Sequence, residues 1–570
     1  MESRRGRMPA WAPALLVPAL FLLATLLLVF RARGLPDNDY WSMIAPVLAD
    51  PDAWPSLTAL LDRSNEHIVA GPVFVFWINF HLTAGENFGL SAAAALFAFA
   101  CAVLVALSWT EFAGTATERF VAILAGTVFV FTPMAAHNHF LGMSGVVWIG
   151  ANLFLVLACF TFRQAAHRDG VAGYGLAALF ALVASLFYST GLLALIVLGI
   201  QGLWSPKTRR IGMLFLAAGM LYLAFHAMIQ PVPERHGSRN FDLSELLAFC
   251  LSFVGGGLTA FRDTATVFGA IGFLAAIVVC VRALVRPGPQ APASAFWIAL
   301  MAYAAMAGGL AAIGRSGIFG QEGALSSRYA TLPALFWIGL FGAVAGELRA
   351  MPGLRRAWLV VFAACAVMAL SNGIPRVEQA MVRAERKVLA TFALSLGIND
   401  LEWVNYLTPV PKEYYAVEAR LKEVGHVPFD GSGPDCPRIG ETVPAPADPT
   451  RFVGHVDAVA ETRSPPWIKL TGWVAARSQE RPPLLDSAWL STYRCFAFVD
   501  EAGTVVGLGL GGGSRPDVAS ALNRSRDGYG WTGFVNLRAL PQGATTAKLQ
   551  AVLPVQGGWL KWPEPVEVRR

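Results

Sequence analysis

Charged residues are scarce in this chain. Asp, Glu, Lys and Arg make up only 14% of its 570 residues, hydrophobic residues make up 55%, and the mean hydropathy is +0.51. Because soluble globular domains carry about 25% charged residues, this composition excludes that class and predicts a multi-pass membrane protein. The net charge of +6 is spread over short Arg-rich loops rather than one basic surface, so we expect no nucleic-acid partner.

Cysteine is also rare. The chain has 7 cysteines, and none shows the spacing of a metal-binding motif. All but two lie in or beside apolar stretches, where a free thiol behaves as a small hydrophobe. Cys436 and Cys495, in the polar C-terminal third, would pair only in an oxidising compartment. The sequence therefore predicts that these two are close enough to bridge and leaves the disulfide itself open.

Long apolar stretches dominate the first two thirds of the chain. The first, residues 9–30, follows three arginines and has about 22 residues, enough to cross a hydrocarbon core of about 30 Å. It ends in arginines rather than in a small-residue cleavage site, so we interpret it as an uncleaved anchor with a cytoplasmic N-terminus. Further apolar runs between residues 68 and 371 predict about 11 to 13 membrane segments in all, after a first outer loop at residues 31–67.

The basic loops set the predicted orientation. Clusters of Lys and Arg predict cytoplasmic loops near residues 207–210, 282–286 and 349–356. Alternation then puts the loops that begin at His137, Gln230 and Gly314 on the outer face, together with Asp37. We therefore expect a multi-pass membrane protein, with residues 1–372 as its transmembrane domain.

The chain changes character after residue 372. Charged and apolar residues alternate at helical spacing in the first part of residues 373–465, which predicts an amphipathic helix on the outer surface, followed by a linker with little regular structure. Residues 466–570 show the period of two that is typical of strands, with a hairpin turn at Asp500–Thr504. We expect a compact β-sandwich of about 100 residues there. Two interpretations stay open for Trp473, Trp531 and Trp559: core residues, or stacking surfaces for sugar rings.

Three kinds of ionisable side chain share the predicted outer face. The acids are Asp37, Asp39 and Glu66, the imidazoles are His67, His137, His139 and His236, and the guanidiniums are Arg235, Arg239, Arg315 and Arg328. A carboxylate can take the proton of an attacking hydroxyl while cations stabilise a departing phosphate, which is the minimal equipment for glycosyl transfer. Three alternatives remain: a solvated turn for the acids beside Pro36, a snorkelling role for Arg328, and a divalent-cation site that joins an imidazole to Glu66 or Asp39.

Short motifs connect the chain to a known superfamily. In order, they are DNDYW with Asp37 and Asp39, NEHIVAGP with Glu66 and His67, FYSTGLLAL from Phe187 to Leu195, and SSRY with Arg328 and Tyr329. Over roughly residues 9–372 the chain resembles the GT-C superfamily of membrane glycosyltransferases, in particular its uncharacterised bacterial members. The C-terminal motifs LTGWVAA, GGSRPDVASAL and GWTGFVNL are similar to small β domains appended to bacterial glycosyltransferases.

The resemblance implies a GT-C-like fold in the bacterial inner membrane, with the C-terminal β-sandwich in the periplasm. It also implies a sugar donor carried on polyprenyl phosphate and a glycan or lipid acceptor. Asp37 or Asp39 would be the general base, and the expected substrate-binding residues are Glu66, His67, Arg235, Arg239, Arg328 and Tyr329. Residues 137–145 lack the acid that many relatives carry in a second outer loop, so metal dependence stays open. The rival hypotheses are a transporter or flippase of lipid-linked saccharides and a non-catalytic polysaccharide-assembly protein.

Overall fold

The computed structural model of this chain describes residues 12–30, 32–61, 63–64, 67–111, 114–168, 170–229, 241–285, 291–429, 436–444, 452–476, 494–523, 528–541, 546–555, 558–562 and 565–569. The chain divides into two units. The helical unit is formed from Met1–Val29, Ser42–Leu82 and Asn87–Met381, and the C-terminal unit from Phe30–Trp41, Thr83–Glu86 and Val382–Arg570. The predicted first outer loop is therefore divided between the two units, and its acidic motif belongs to the C-terminal unit.

Helices make up most of the chain up to residue 423. In chain order they are α1 (Ala12–Val29), α2 (Tyr40–Ala49), α3 (Leu57–Leu61), α4 (Ala70–Thr83), α5 (Asn87–Thr110), α6 (Ala116–Val130), α7 (Ala136–Phe140), α8 (Gly142–Arg168), α9 (Val171–Phe187), α10 (Ala194–Leu203), α11 (Arg209–Ile229), α12 (Leu243–Gly255), α13 (Arg262–Val285), α14 (Ala291–Phe319), α15 (Thr331–Glu347), α16 (Pro352–Ser395), α17 (Leu401–Leu407) and α18 (Pro411–Glu423). Two short strands, β1 (Arg63–Ser64) and β2 (His67–Ile68), pair antiparallel before α4.

Eight helical segments in the described part of the chain are long and apolar enough to cross a membrane. Some expose a continuous apolar face, as on α11, where Leu214, Leu221 and Met228 are 69%, 72% and 86% exposed. Because soluble proteins rarely expose apolar surface of this extent to water, these helices indicate a multi-pass membrane protein. The prediction of about 11 to 13 segments also counted runs that form apolar helices of only 10–17 residues, such as α9, α12 and α15.

The helix α16 has 44 residues and joins the last apolar run to the predicted amphipathic helix. The helical prediction after residue 372 is confirmed, and Pro375 lies inside the helix without ending it. The predicted linker, at about residues 405–465, contains more regular structure than its composition predicts, namely α18 and the first strand of the large sheet. Pro411 occupies the first turn of α18, where the missing N–H is tolerated, so proline content was a misleading signal there.

The C-terminal unit is built on one antiparallel sheet. Its strands are β3 (Phe452–Glu461), β4 (Trp467–Ala476), β5 (Arg494–Val499), β6 (Val505–Gly513), β7 (Gly530–Asn536), β8 (Thr546–Val555), β9 (Gly558–Lys561) and β10 (Val566–Arg569), with a short helix α19 (Pro516–Ala521) after β6. The order is β10-β8-β5-β6-β7-β4-β3, and β9 pairs with β8. Leu470 on β4 and Val568 on β10 join the same core although their strands are far apart in this order, so the sheet curls on itself.

This single ladder differs from the two separate sheets of the predicted sandwich. Register shifts in the β3–β4, β5–β6 and β6–β7 pairs explain the difference, because such irregularities bend strands and increase their twist without ending the pairing. Trp531 is 4% exposed and packs in the core, so for this residue the core interpretation is correct. The hairpin at Asp500–Thr504 is confirmed, since the Asp500 carboxylate accepts hydrogen bonds from the N–H groups of Ala502 and Thr504.

A disulfide joins Cys436 to Cys495 on β5. Their Cα atoms are 5.4 Å apart, so the prediction that the two cysteines are close enough to bridge is confirmed. The bridge ties the chain before β3 to the middle of the sheet.

Candidate functional site

A break between α9 and α10 forms one end of the candidate site. The helix α9 ends at Phe187, Tyr188 is extended with φ −164° and ψ 158°, and Ser189–Leu193 forms a 3₁₀ turn. The Phe187 ring lies between Gly71 on α4 and Gly150 on α8, where a Cβ atom at either glycine would collide with it. The two glycines therefore allow α4 and α8 to approach the break closely.

Tyr188 lies between two other rings. Its ring centroid is 4.2 Å from that of His67 and 4.1 Å from that of Trp148. The Oγ of Ser189 forms a short hydrogen bond with Nδ1 of His67. Tyr188 and Ser189 are partly exposed, whereas His67 is 9% exposed. The break thus presents an aromatic ring, a hydroxyl and an imidazole side by side.

The other end of the site is the turn Ser327–Tyr329, directly before α15. The Oγ of Ser327 donates to the carbonyl oxygen of Met134 at 2.6 Å and accepts from the N–H of His137 at 3.2 Å. The side-chain amide of Asn138 donates to the carbonyl oxygen of Arg328 at 2.8 Å. The segment around α7 therefore fixes the backbone from which the Arg328 side chain extends.

Tyr329 connects the two ends. Its ring centroid is 5.3 Å from that of Trp148, and the Arg328 guanidinium carbon lies 5.2 Å from the centroid of the Tyr329 ring. The Nε of Arg328 is buried and makes no hydrogen bond to any residue that the structure describes. We call this set of contacting side chains the aromatic row; in order it consists of His67, Tyr188, Trp148, Tyr329 and Arg328.

The C-terminal unit buries an ion pair. The Nζ of Lys387 on α16 lies 3.8 Å from Oδ1 of Asp37, and these side chains are 0% and 1% exposed. Burial raises the pKa of the Asp37 carboxyl, while the positive charges of Lys387 and Arg383 oppose that rise. Within the described residues neither Asp37 oxygen makes a hydrogen bond, so Lys387 provides the main compensation for the buried charge.

Backbone contacts hold the rest of the acidic motif in the same unit. The N–H of Leu35 donates to Oγ1 of Thr391 at 2.9 Å, and the N–H of Asn38 donates to the carbonyl oxygen of Leu407 at 2.7 Å. Asn38 has a φ of 55°, a left-handed conformation that Asn tolerates better than most residues. The turn at Asn38 therefore separates a buried Asp37 side chain from an exposed Asp39 carboxylate.

The predicted site residues lie in both units, and some lie outside the described residues. The helical unit brings His67, Arg328 and Tyr329 into one row, and the C-terminal unit contains Asp37 and Asp39. The candidates outside the described residues are Glu66, Arg235, His236 and Arg239. Among the described residues no group of three or more His, Cys, Asp or Glu could hold a metal ion.

Sequence reasoning did not single out Lys387. Lys387 is one of several charged residues in the predicted amphipathic helix, but its neighbours Ala384, Ala390 and Leu394 on the same helix are at most 2% exposed. These positions follow helical spacing, so the available signal was a lysine inside an apolar stripe. Tyr188 and Ser189 belong to the motif FYSTGLLAL, but their contacts involve His67 and so could not be derived from the motif itself.

In comparisons with known proteins, no protein family, curated protein or solved structure matches the chain.

Proposed function

We propose that this protein is a membrane glycosyltransferase that moves a sugar from a polyprenyl-phosphate-linked donor to a glycan or lipid acceptor of the bacterial cell envelope. The reaction would take place on the periplasmic side of the inner membrane. The observation that carries the proposal is the aromatic row and the incompletely bonded arginine at its end. The disulfide between Cys436 and Cys495 supports the periplasmic side, because such bonds persist in oxidising compartments.

Arg328 is assigned to the phosphate of the donor. A buried guanidinium nitrogen without a hydrogen-bond partner is costly, and an anionic oxygen would satisfy it. Arginine also recognises phosphate through two parallel hydrogen bonds. Because Asn138 and Ser327 fix the backbone on either side, the guanidinium needs little ordering when an anion binds.

Asp39 is assigned as the general base, and Asp37 as the residue that positions it. The Asp39 carboxylate is exposed and accessible to a hydroxyl, whereas that of Asp37 is buried in the pair with Lys387. In the proposed step, the acceptor oxygen bonds to the anomeric carbon while the bond from that carbon to the phosphate oxygen breaks. Asp39 takes the acceptor proton and the lipid phosphate leaves with the electron pair, so this single displacement inverts the anomeric centre.

The test is sugar transfer by the purified full-length protein in nanodiscs, with polyprenyl-phosphate sugars and extracted envelope acceptors. We expect Arg328→Gln to weaken donor binding about 10- to 100-fold, because hydrogen bonds to charged groups contribute about 1.5 to 3 kcal/mol. Arg262→Gln is the matched control, since Arg262 is a half-exposed arginine paired with its neighbour Asp263. Equal effects of the two substitutions would remove the proposed role of Arg328.

Two further measurements separate the rival functions and the sidedness. Movement of the lipid-linked sugar between vesicle leaflets without transfer to an acceptor would favour a transporter over a transferase. A cysteine introduced at Ser464 should react with an impermeant reagent in cells whose inner membrane is intact. Labelling only after that membrane is permeabilised would contradict the periplasmic assignment.

A further inference from the structure

We propose that a groove on the C-terminal sheet, on the face opposite its core, binds a neutral glycan chain. The groove consists of two cavities of about 560 and 270 Å³ that share Thr471 on β4. All of the residues that line it lie between residues 385 and 532 and belong to the C-terminal unit. The inference rests on the proposed function in one respect, because it takes a glycan, and not a lipid, as the acceptor of the transferred sugar. We call this feature the sheet groove.

The floor of the sheet groove is a row of side chains that crosses four strands. Thr471 on β4 pairs with Ala458 on β3 and with Thr532 on β7, and Thr532 pairs with Leu510 on β6. Because side chains alternate across a strand, these four lie on the face opposite Leu470, which belongs to the core. Neighbouring strands are about 4.8 Å apart, so the row extends over roughly 14 Å, enough for a short oligosaccharide.

Two helices cover the neighbouring row and form the walls of the sheet groove. The ring centroid of Phe534 on β7 lies 6.1 Å from that of Phe392 on α16 and 5.4 Å from that of Trp403 on α17. Leu389, from the preceding turn of α16, and Asn405 on α17 line the cavities instead. The helices therefore pack on the sheet beside the floor and leave the floor itself open.

The sheet groove contains hydrogen-bonding groups that are not already used. Thr471 and Thr532 are partly exposed, and Asn405, Glu461 and Arg463 are exposed. None of these five side chains makes a hydrogen bond or an ion pair with any residue that the structure describes. The hydroxyls and the amide can donate and accept, the carboxylate accepts and the guanidinium donates. Sugar hydroxyls need partners of both kinds, whereas the C–H groups of a sugar ring can pack on the apolar residues of the floor.

The charges around the sheet groove favour a neutral ligand. The Nζ of Lys469 lies 2.5 Å from Oε1 of Glu402, and Arg515 pairs with both Asp457 and Asp517. The acid and the base that make no such contact have opposite signs. The lining contains five carboxylates and three basic side chains, so an anionic chain would meet an excess of like charge. We therefore expect acidic glycans to bind less tightly than neutral ones.

The test measures binding of fluorescently labelled linear hexaoses of glucose, mannose and galactose to the full-length protein in nanodiscs. A hexaose of galacturonic acid is the acidic probe. We expect at least one neutral hexaose to bind, and to bind more tightly than the acidic one. The change in its dissociation constant is then measured in variants of the floor.

Thr471→Val and Thr532→Val each remove one hydroxyl and keep the shape of the side chain, so each should weaken binding about 2- to 10-fold. Ala458→Trp fills the sheet groove and should abolish binding. The matched control is Thr546→Val, because Thr546 is an exposed threonine on β8 that does not line the groove. The unfolding midpoint of the C-terminal unit shows whether each variant is folded, and the two threonine variants decide the test if Ala458→Trp does not fold.

Three results would overturn the inference. They are that no neutral hexaose binds at millimolar concentration, that the acidic hexaose binds as tightly as the neutral ones, or that Thr471→Val and Thr532→Val both bind like Thr546→Val. None of these results affects the proposed function, since donor binding and transfer to a lipid acceptor are measured separately. Conversely, hexaose binding that is weakened in the floor variants of a protein without transferase activity would retain the sheet groove and remove the proposed function.

Discussion

Replacing Lys387 by methionine should loosen the segment that carries Asp37 and Asp39. Methionine has nearly the same length and fills the same space, so the substitution removes the charge with little change in packing. Asp37 then remains buried without its ionic partner, and breaking a buried pair in this way destabilises by about 3 to 5 kcal/mol. At about 1.4 kcal/mol per factor of ten, opening of the segment becomes roughly 10²- to 4 × 10³-fold more frequent.

Hydrogen–deuterium exchange of a peptide covering residues 32–41, measured on the full-length protein in nanodiscs, reports this opening directly. The matched control is Lys422→Met, because the Nζ of Lys422 lies 2.8 Å from Oε1 of Glu418, closer than in the buried pair, but its side chain is 47% exposed. An exposed pair of this kind contributes only about 0.3 to 0.5 kcal/mol, since water screens it. Exchange in Lys387→Met no faster than in this control would refute the reasoning.

The pH dependence provides a second check on the same variant. Burial raises the folded-state pKa of Asp37, so the native state binds the proton more tightly than the unfolded chain, and stability increases as the pH falls through that raised pKa. Without Lys387 the opposing positive charge is lost and the pKa rises further. The excess exchange of Lys387→Met over wild type should therefore shrink as the pH is lowered from neutral, and Asp37→Asn added to Lys387→Met should remove most of it at neutral pH. An excess that is independent of pH would point to lost packing instead.

Three further predictions follow from the other contacts. Asp39→Asn should lower sugar transfer about 10²- to 10⁴-fold with donor binding unchanged, and near-normal turnover would exclude this carboxylate as the base. The double substitution of Cys436 and Cys495 by serine should destabilise the C-terminal unit by about 4 kcal/mol, because the disulfide closes a long loop with a sequence separation of 59. Denaturant unfolding of that unit, followed by hydrogen–deuterium exchange of the strand peptides, measures the change, and an unaltered unfolding midpoint would contradict the prediction. Gly150→Ala should displace the Phe187 ring and weaken binding of the polyprenyl-phosphate sugar, whereas unchanged binding would show that α8 can move away freely.

Local sequence patterns determined which helices and strands form in this chain, but not which of them contact one another. The apolar stretches predicted helices such as α5 and α8, because twenty or more apolar residues have no stable alternative in lipid. The hairpin at Asp500–Thr504 was also predictable, since its carboxylate bonds to backbone groups within four residues. In contrast, the curled single sheet depends on pairing between β4 and β7, whose residues are more than fifty positions apart.

The candidate site shows the same division. The sequence indicated His67, Arg328 and the acidic motif as chemistry-bearing residues, because polar and charged groups are conspicuous among apolar stretches. The sequence could not show which of Asp37 and Asp39 is buried, because that depends on the contact with Lys387, which lies 350 residues later in the chain. Nor could it give Tyr188 its neighbours, because the ring contacts with His67 and Trp148 depend on how closely Gly71 and Gly150 let three helices pack around Phe187. Burial and pairing are properties of contacts between distant segments, and only the tertiary structure contains them.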